Sequence, residues 1–446
     1  MPRAAFTTLG CKVNQYETQR ILESFEDAGF SVVPFDSPAD VYVVNTCSVT
    51  AVAESKSRYT VRRALRSNPK AKVVVTGCAA QMALNERRAF PEAHLLVPNP
   101  EKMRTVEHVL RAFPGLGAGL RPRPRSAKTP GSAWKGRTRA TIKIQEGCNV
   151  FCSYCSIPFT RPHMVSRPAA EILGEVDRLV QMGYKEVVLS GVLIGAYGPD
   201  TGSGGPHFED LIELMADTPG LERIRISSIE MRHVTFRLMN LMASGLVVPH
   251  LHLPLQSGSD GVLRDMNRPY TSREFLDLLD LLRAVVPDLL VTTDVMVGFP
   301  TETPERFEES LRTVEQASFL KAHVFRFSPR PGTKADVWGD AVAAEEKQRR
   351  SQLLMEVAGR TGEAEAARFL GRSLRVLVEG KCPKTGLMAG LSDNYLEVRF
   401  AGPAELARRV CTVAAMEVRD GVVYGELATP GGSSGSSDDL IRVAAL

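Results

Sequence analysis

Three cysteines crowd one short stretch of this chain. Glu146 to Pro158 reads EGCNVFCSYCSIP and spaces Cys148, Cys152 and Cys155 as C-x3-C-x2-C. Three thiolates on one loop can face a common centre, and in a chain that opens without a secretory signal such density points to metal ligation. A structural zinc site takes four protein ligands, and His163 is the nearest candidate for the fourth. A cubane iron–sulfur cluster normally takes four thiolates, so one held by three keeps an iron open for a ligand or a reaction. The ligand count favours the cluster, and zinc with His163 remains the alternative.

The elements that must position these thiols can be read from periodicity. The loop follows an apolar alternation, Ala140 to Ile144, that predicts a β-strand. Upstream, Ala4–Thr8, Val41–Asn45 and Lys72–Thr76 read as strands, with helices over Asn14–Ala28 and up to Arg66. Continuous apolar runs such as VYVV and KVVV suit a parallel sheet covered on both faces. Each of these strands runs into a cysteine, as Gly10-Cys11, Thr46-Cys47 and Gly77-Cys78. Parallel strands end on one edge, where ligands bind, so Cys11, Cys47 and Cys78 should converge as a second trio. The bland reading is three separate buried thiols. Asn14, Gln15 and Asn45 stand beside these cysteines, where they read either as helix caps, the favoured reading, or as hydrogen-bonding partners of a bound centre or substrate.

Downstream, strands over Ala140–Ile144, Glu186–Leu189, Arg223–Ser227, His250–Pro254, Val291–Val297 and His323–Phe327 alternate with helices such as Ala169–Met182, Arg273–Val285 and Pro304–Ala317. Six βα units predict a partial (β/α)6 barrel with chemistry at the C-terminal strand ends. Small and polar residues gather there: Ser190, Gly191, Ser227, Glu230 and Gln256, with Val297 closing the fifth strand. Clustered on one rim, they predict a small-molecule pocket. Arg161 and Arg167 flank the thiol loop, placed to meet a carboxylate or phosphate, or to form surface ion pairs.

The fold class is therefore α/β. Residues 1–114 form an N-terminal parallel α/β domain, 115–137 a basic Pro/Gly linker, and 138–370 the partial barrel. Residues 371–429 hold short strands joined by Gly and Asp turns, a small β-barrel pattern, and 430–446 a Gly/Ser-rich tail. Cys382 and Cys411 lie isolated in the third domain and read as ordinary thiols. A chain of 446 residues accommodates this plan. No apolar run approaches a membrane span and no signal-peptide core precedes the first strand, which predicts a cytoplasmic protein. The net charge of +4 permits a nucleic-acid partner without requiring one. Basic residues gather at Lys56, Arg58, Arg62, Arg63 and Arg66, and again at Arg121, Arg123, Arg125, Lys128, Lys135, Arg137 and Arg139. Such stretches suit either a solvated surface or RNA phosphate.

The thiol loop, with Tyr154 before its last cysteine, resembles the radical S-adenosylmethionine (SAM) superfamily. The whole plan, with its separated N-terminal thiols and terminal β-barrel, resembles the methylthiotransferases. HLPLQSGSD from His252 and DVMVGFPTET from Asp294 fit that family too. The opening TLGCKVNQYETQ is similar to the branch acting on N6-threonylcarbamoyladenosine at position 37 of tRNA. The isopentenyladenosine branch typically shows GCQMN at this place, and the branch modifying a ribosomal-protein aspartate GCPKN. The resemblance implies two [4Fe–4S] clusters. Cys148, Cys152 and Cys155 would hold the one that binds SAM, and Cys11, Cys47 and Cys78 an auxiliary one. It implies a SAM pocket at Ser190, Gly191, Ser227, Glu230, Gln256 and Val297, and a TRAM-like, RNA-binding β-barrel. It further implies a tRNA anticodon-loop substrate, an electron donor and a sulfur donor, with the enzyme acting as a monomer. The competing readings are a methylthiotransferase of another branch and a non-catalytic, metal-bearing RNA-binding protein.

Overall fold

The computed structural model describes residues 1–90, 92–122, 137–200 and 205–428. Arg123, Arg125, Lys128 and Lys135 of the predicted linker lie outside them, as does the predicted tail from residue 430. The chain divides into two compact units, Met1–Gly362 and Glu363–Leu446.

The first unit opens with a five-stranded parallel sheet. Its strands are β1 (Arg3–Thr8), β2 (Ser31–Val33), β3 (Val41–Thr46), β4 (Lys72–Gly77) and β5 (Leu95–Leu96), in the spatial order β2-β1-β3-β4-β5. Helices α1 (Lys12–Ala28), α2 (Ala51–Ser67), α3 (Cys78–Asn85) and α4 (Thr105–Ala112) complete this half. Alternate residues of one strand point to opposite faces. Tyr42 and Val44 of β3 therefore pack with Val61 and Ala64 of α2 and Ala80 and Ala83 of α3. Val41 and Val43 of the same strand pack with Ile21 and Phe25 of α1 and Val109 of α4. That two-sided burial is why these strands read as unbroken apolar runs. β2 and β5 escape periodicity because they are so short.

The second half of this unit starts at β6 (Arg139–Lys143). A hairpin of β7 (Gln145–Glu146) and β8 (Val165–Ser166) follows, with α5 (Ile157–Thr160) between its arms. Then come α6 (Ala169–Gln181), β9 (Glu186–Ser190), α7 (Phe208–Ala216), β10 (Arg223–Ile226), α8 (Phe236–Ala243) and β11 (His250–His252). The series continues with α9 (Asp260–Asp265), α10 (Ser272–Val285), β12 (Leu290–Val297), α11 (Pro304–Ala317), β13 (Lys321–Arg326) and α12 (Ala344–Ala367). The six expected strands form two parallel sheets, β10-β9-β6 and β11-β12-β13. Between β10 and β11 the ladder thins to a bridge at Ile224–Val247 and a few bonds, such as Ile229 N–H to the His252 carbonyl at 3.0 Å. β11 also stops at His252, before the predicted Pro254. Pro249 and Pro254 bracket it, and proline has no N–H for a ladder.

Buried ion pairs tie these elements together. Glu17 of α1 is fully buried and receives Lys102 Nζ at 2.6 Å, Lys143 Nζ at 2.8 Å and Arg161 Nη2 at 2.7 Å. Arg161 Nη1 also reaches Glu146 at 2.5 Å. Burial alone would push the Glu17 carboxyl up, but Lys102, Lys143 and Arg161 hold it well below the usual carboxylate range. The thiol-bearing sheet is thus pinned by charge to β6 and to the segment after the thiol loop. Glu186 of β9 repeats the device within the barrel, with Arg223 at 2.9 Å and Arg225 at 2.7 Å on the neighbouring β10.

The second unit is a closed antiparallel-rich barrel. Its strands are β14 (Ser373–Lys381), β15 (Met388–Ser392), β16 (Glu397–Phe400), β17 (Val410–Arg419) and β18 (Val422–Leu427), in the order β14-β15-β16-β18-β17. Cys411 lies in β17 opposite Val376, and Cys382 in the turn after β14.

Two outcomes follow from the buried charges. Glu17→Ala would strand Lys102 and Arg161 without their shared carboxylate and should cost about 3–5 kcal/mol in denaturant unfolding. For Glu186, burial would raise the carboxyl, but Arg225 and Arg223 hold it below its ordinary value. Its contribution is present above the unfolded-state carboxylate range of about 4.3 and is lost as pH falls through the lower folded value. Thermal unfolding measured from neutral to acid pH should show this loss in the parent chain, and Glu186→Gln should flatten it.

Candidate metal centres and cavity

β1, β3 and β4 are neighbours, so their C-terminal ends bring Cys11, Cys47 and Cys78 to one edge of the sheet. Cys11 stands at the N-terminal cap of α1, Cys47 directly follows β3, and Cys78 opens α3. Two glycines let the backbones meet there. Gly10 has φ +96°, and a Cβ on it would lie 2.8 Å from Cys47 Sγ. Gly77 has φ +93°, and its Cβ would lie 2.4 Å from Asn45 Oδ1 and the Thr46 carbonyl. Asn14 and Asn45 are ties between these loops rather than the expected caps. Asn14 Nδ2 donates to the Leu9 carbonyl at 2.9 Å and the Thr46 carbonyl at 3.0 Å, while Asn45 Nδ2 donates to the Asn14 carbonyl at 3.0 Å.

The second trio lies on the loop between β7 and α5. Asn267 holds that loop from outside, donating from Nδ2 to the carbonyls of Val150 at 3.2 Å and Phe151 at 3.0 Å. Ser153 N–H donates to the Met266 carbonyl at 3.0 Å, and Ala335 N–H to the Ser153 carbonyl at 2.7 Å. Tyr154 packs edge-on against Phe299 at 6.5 Å. Arg268 Nη1 approaches Cys152 Sγ at 3.4 Å, while its other nitrogens engage Glu230 and the Tyr270 hydroxyl at 3.1 Å. Arg268 thus ties the thiol loop to Glu230 and Tyr270.

The thiols sense one another. Burial pushes Cys47 up to about 11, and Cys78 and Cys11 add to the shift. Burial pushes Cys155 up to about 12, with Cys152 and Cys148 adding to it. Cys11 opens onto solvent, yet surrounding protein still raises its thiol, against the pull of the Asn14 N–H and Arg161. Gathered thiols of this kind ionise together only when a cation compensates them, and that donor set suits iron–sulfur ligation. No group of His, Cys, Asp and Glu among the described residues is arranged to hold a single metal ion. In a cubane each thiolate meets its own iron, so such ligands stand farther apart than around one ion. His163, the candidate fourth zinc ligand, lines a cavity beside Glu17 and Lys102, different from the one Cys155 lines.

The Cys155 cavity joins the two halves of the unit. Val49 and Thr50, just past Cys47, share it with Tyr154, Cys155, Gln256, Asp294, Met296 and Phe325. Gln256 alone of the six predicted pocket residues lines it among the described residues. Glu230 instead pairs with Arg268. Ser190 and Ser227 are buried at their strand ends, Gly191 abuts Gln145, and Val297 is wholly buried in the barrel core. Glu17, Lys143, Arg268 and Asn267 escape sequence reading, because charged and amide side chains ordinarily face water. Arg161 is buried against Glu17, and Arg167 pairs with Glu175 at 2.9 Å. On α2, Arg58 and Arg62 reach Glu92 at 3.6 and 3.9 Å, and Arg63 pairs with Asp36.

Comparison with known proteins follows the same division. Residues 142–314 match the radical SAM superfamily, and residues 3–97 match the uncharacterized protein family UPF0004. The threonylcarbamoyladenosine tRNA methylthiotransferase MtaB of Bacillus subtilis is 37% identical over 96% of this chain and 96% of its own. Its namesake from Chlamydia pneumoniae is 40% identical over 87% of this chain and 89% of its own. A tRNA-2-methylthio-N(6)-dimethylallyladenosine synthase of Pelotomaculum thermopropionicum is 32% identical over 94% and 96% of the two chains. Among solved structures, the radical SAM methyltransferase TsrM of Kitasatospora setae shares the fold, with a TM-score of 0.54, 15% identity and coverage of 76% and 77%. The paired thiol trios and a match running the length of both chains place this protein in the radical SAM methylthiotransferase family, on its MtaB-like side.

Proposed function

We propose that this enzyme converts N6-threonylcarbamoyladenosine at position 37 of tRNA to its 2-methylthio derivative. The observation that carries the reading is the 37% identity, sustained over 96% of both chains, to a relative of that name. When bound, SAM and [4Fe–4S] clusters supply the radical chemistry that replaces an unactivated adenine C–H with a methylthio group. Cys148, Cys152 and Cys155 hold the SAM-binding cluster, and Cys11, Cys47 and Cys78 the auxiliary one. Arg268 contacts the Cys152 sulfur from outside. Gln256, which lines the cavity with Cys155, would hold SAM, and Ser190, Gly191, Ser227, Glu230 and Val297 belong to the strand ends around that site. The cavity shared by the Cys47 and Cys155 loops supports this division, since both trios must work on one substrate carbon.

The domains divide the labour. Residues 1–114 present the auxiliary thiols, 138–370 the SAM site, and 371–429 grip RNA through phosphate contacts. The adenine leaves its stack to enter the cavity, as bases must when chemistry is done on the ring. The enzyme acts as a cytoplasmic monomer and draws on a reductant and a sulfur donor. No helix among the described residues is long and apolar enough to cross a membrane.

Two measurements test the reading. In Cys11→Ala, anaerobically purified protein should lose one cluster's worth of iron and acid-labile sulfide and keep SAM cleavage, while thiomethylation disappears. Persistent thiomethylation would break the assignment of roles. Mass analysis of tRNA nucleosides from a strain lacking the gene should show loss of the 2-methylthio form and build-up of the unthiolated one; unchanged content would remove tRNA as substrate.

A further inference from the structure

The inner wall of the barrel carries a polar row that neither thiol trio requires. It starts at Thr292, whose Oγ1 lies 3.1 Å from His250 Nε2 and 2.9 Å from His252 Nδ1. His252 Nε2 then faces Asp294 Oδ2 at 3.2 Å, and its ring lies 5.8 Å from that of His323. Strand register explains the row: His252 pairs with Thr292, and Asp294 with His323. Asp294 lines the same cavity as Cys155 and Gln256, so the row opens where the chemistry takes place. Beside it the cavity is apolar, with Tyr154, Met296, Phe325 and Phe327.

Lys12 reaches this row from the other half of the unit. It directly follows Cys11, opens α1 and is exposed. α1 packs on β6, and β6 and β13 are end strands of the two barrel sheets. Gly10, just before Cys11, abuts Cys47, whose loop lends Val49 and Thr50 to the cavity, so Lys12 stands near the cavity's edge, and its charge bears on both His250 and His323. Lys321, two residues before His323 on the same face of β13, adds a second cation to this wall.

The two sides of the cavity ask for different chemistry. The apolar side suits the face of a purine. The other suits a substituent with hydrogen-bonding groups and a negative charge. A threonylcarbamoyl group has both: urea N–H and C=O groups, a hydroxyl and a carboxylate. An isopentenyl group is pure hydrocarbon and would leave the His–Asp row desolvated and unmatched, which is how a polar site rejects an apolar rival. We propose that Lys12 binds the carboxylate of the N6 substituent while His252, Asp294 and His323 take its urea and hydroxyl groups, making this wall the specificity determinant of the enzyme. The proposal rests on the tRNA substrate named above.

Anticodon stem-loop RNAs that differ only in the target base, carrying threonylcarbamoyladenosine, isopentenyladenosine or plain adenosine, test it in the cluster-loaded enzyme. The parent should bind the threonylcarbamoyl RNA more tightly than the other two. In Lys12→Gln that preference should fall about tenfold, the worth of one charge-assisted hydrogen bond, with affinity for plain adenosine RNA unchanged. KM for the threonylcarbamoyl RNA should rise while kcat moves less, and Lys12→Arg should restore the preference. His323→Ala, distant in sequence from every thiol, should erode the same preference with iron content intact. Equal preference in the parent, Lys12→Gln and His323→Ala would overturn the proposal. A parent enzyme that thiomethylates none of the threonylcarbamoyl RNA would instead overturn the substrate reading itself.

Discussion

A single buried carboxylate holds the catalytic half of this protein in register. Glu17 projects from the helix that begins at Cys11, and it gathers Lys102, Lys143 and Arg161 from three other segments. Lys143 ends the first barrel strand, and Arg161 lies just beyond the central thiol loop. The contacts are geometrically demanding and out of water, so they tolerate little sliding. A hydrophobic interface could supply as much stability without fixing position as sharply. Glu17 thereby fixes the N-terminal thiols relative to the central thiol loop.

Electrostatics then grades the environment of the thiols. Arg161 lowers the cost of ionising Cys11 and Cys47, and Arg268 contacts the Cys152 sulfur on the other side. Each guanidinium is anchored by carboxylates, Arg161 by Glu17 and Glu146, Arg268 by Glu230. The cations are therefore held in place to act on sulfur rather than free to pair with passing anions.

Much of this was legible in the chain itself. Runs such as VYVV announced buried parallel strands, and the placement of cysteines at their ends followed from topology alone. Other features were hidden for physical reasons. β2 and β5 are shorter than any periodic signal, and the thinning between β10 and β11 depends on prolines and long-range geometry. Glu17 and Lys143 look like surface residues until the segment that neutralises them is folded against them. Asn14 and Asn45 look like caps, because a side-chain amide bridging two distant loops leaves no local signature. Arg161, read as meeting an outside anion or forming a surface ion pair, forms an ion pair, but a buried one with Glu17.

The two thiol trios differ in how they come into being. Cys148, Cys152 and Cys155 lie within eight residues, so an extended chain already holds them close. Cys11, Cys47 and Cys78 meet only after β1, β3 and β4 have paired across loops of some thirty residues each. In the unfolded chain the central donors are thus already neighbours, whereas the sheet edge gathers its three only once its strands are paired.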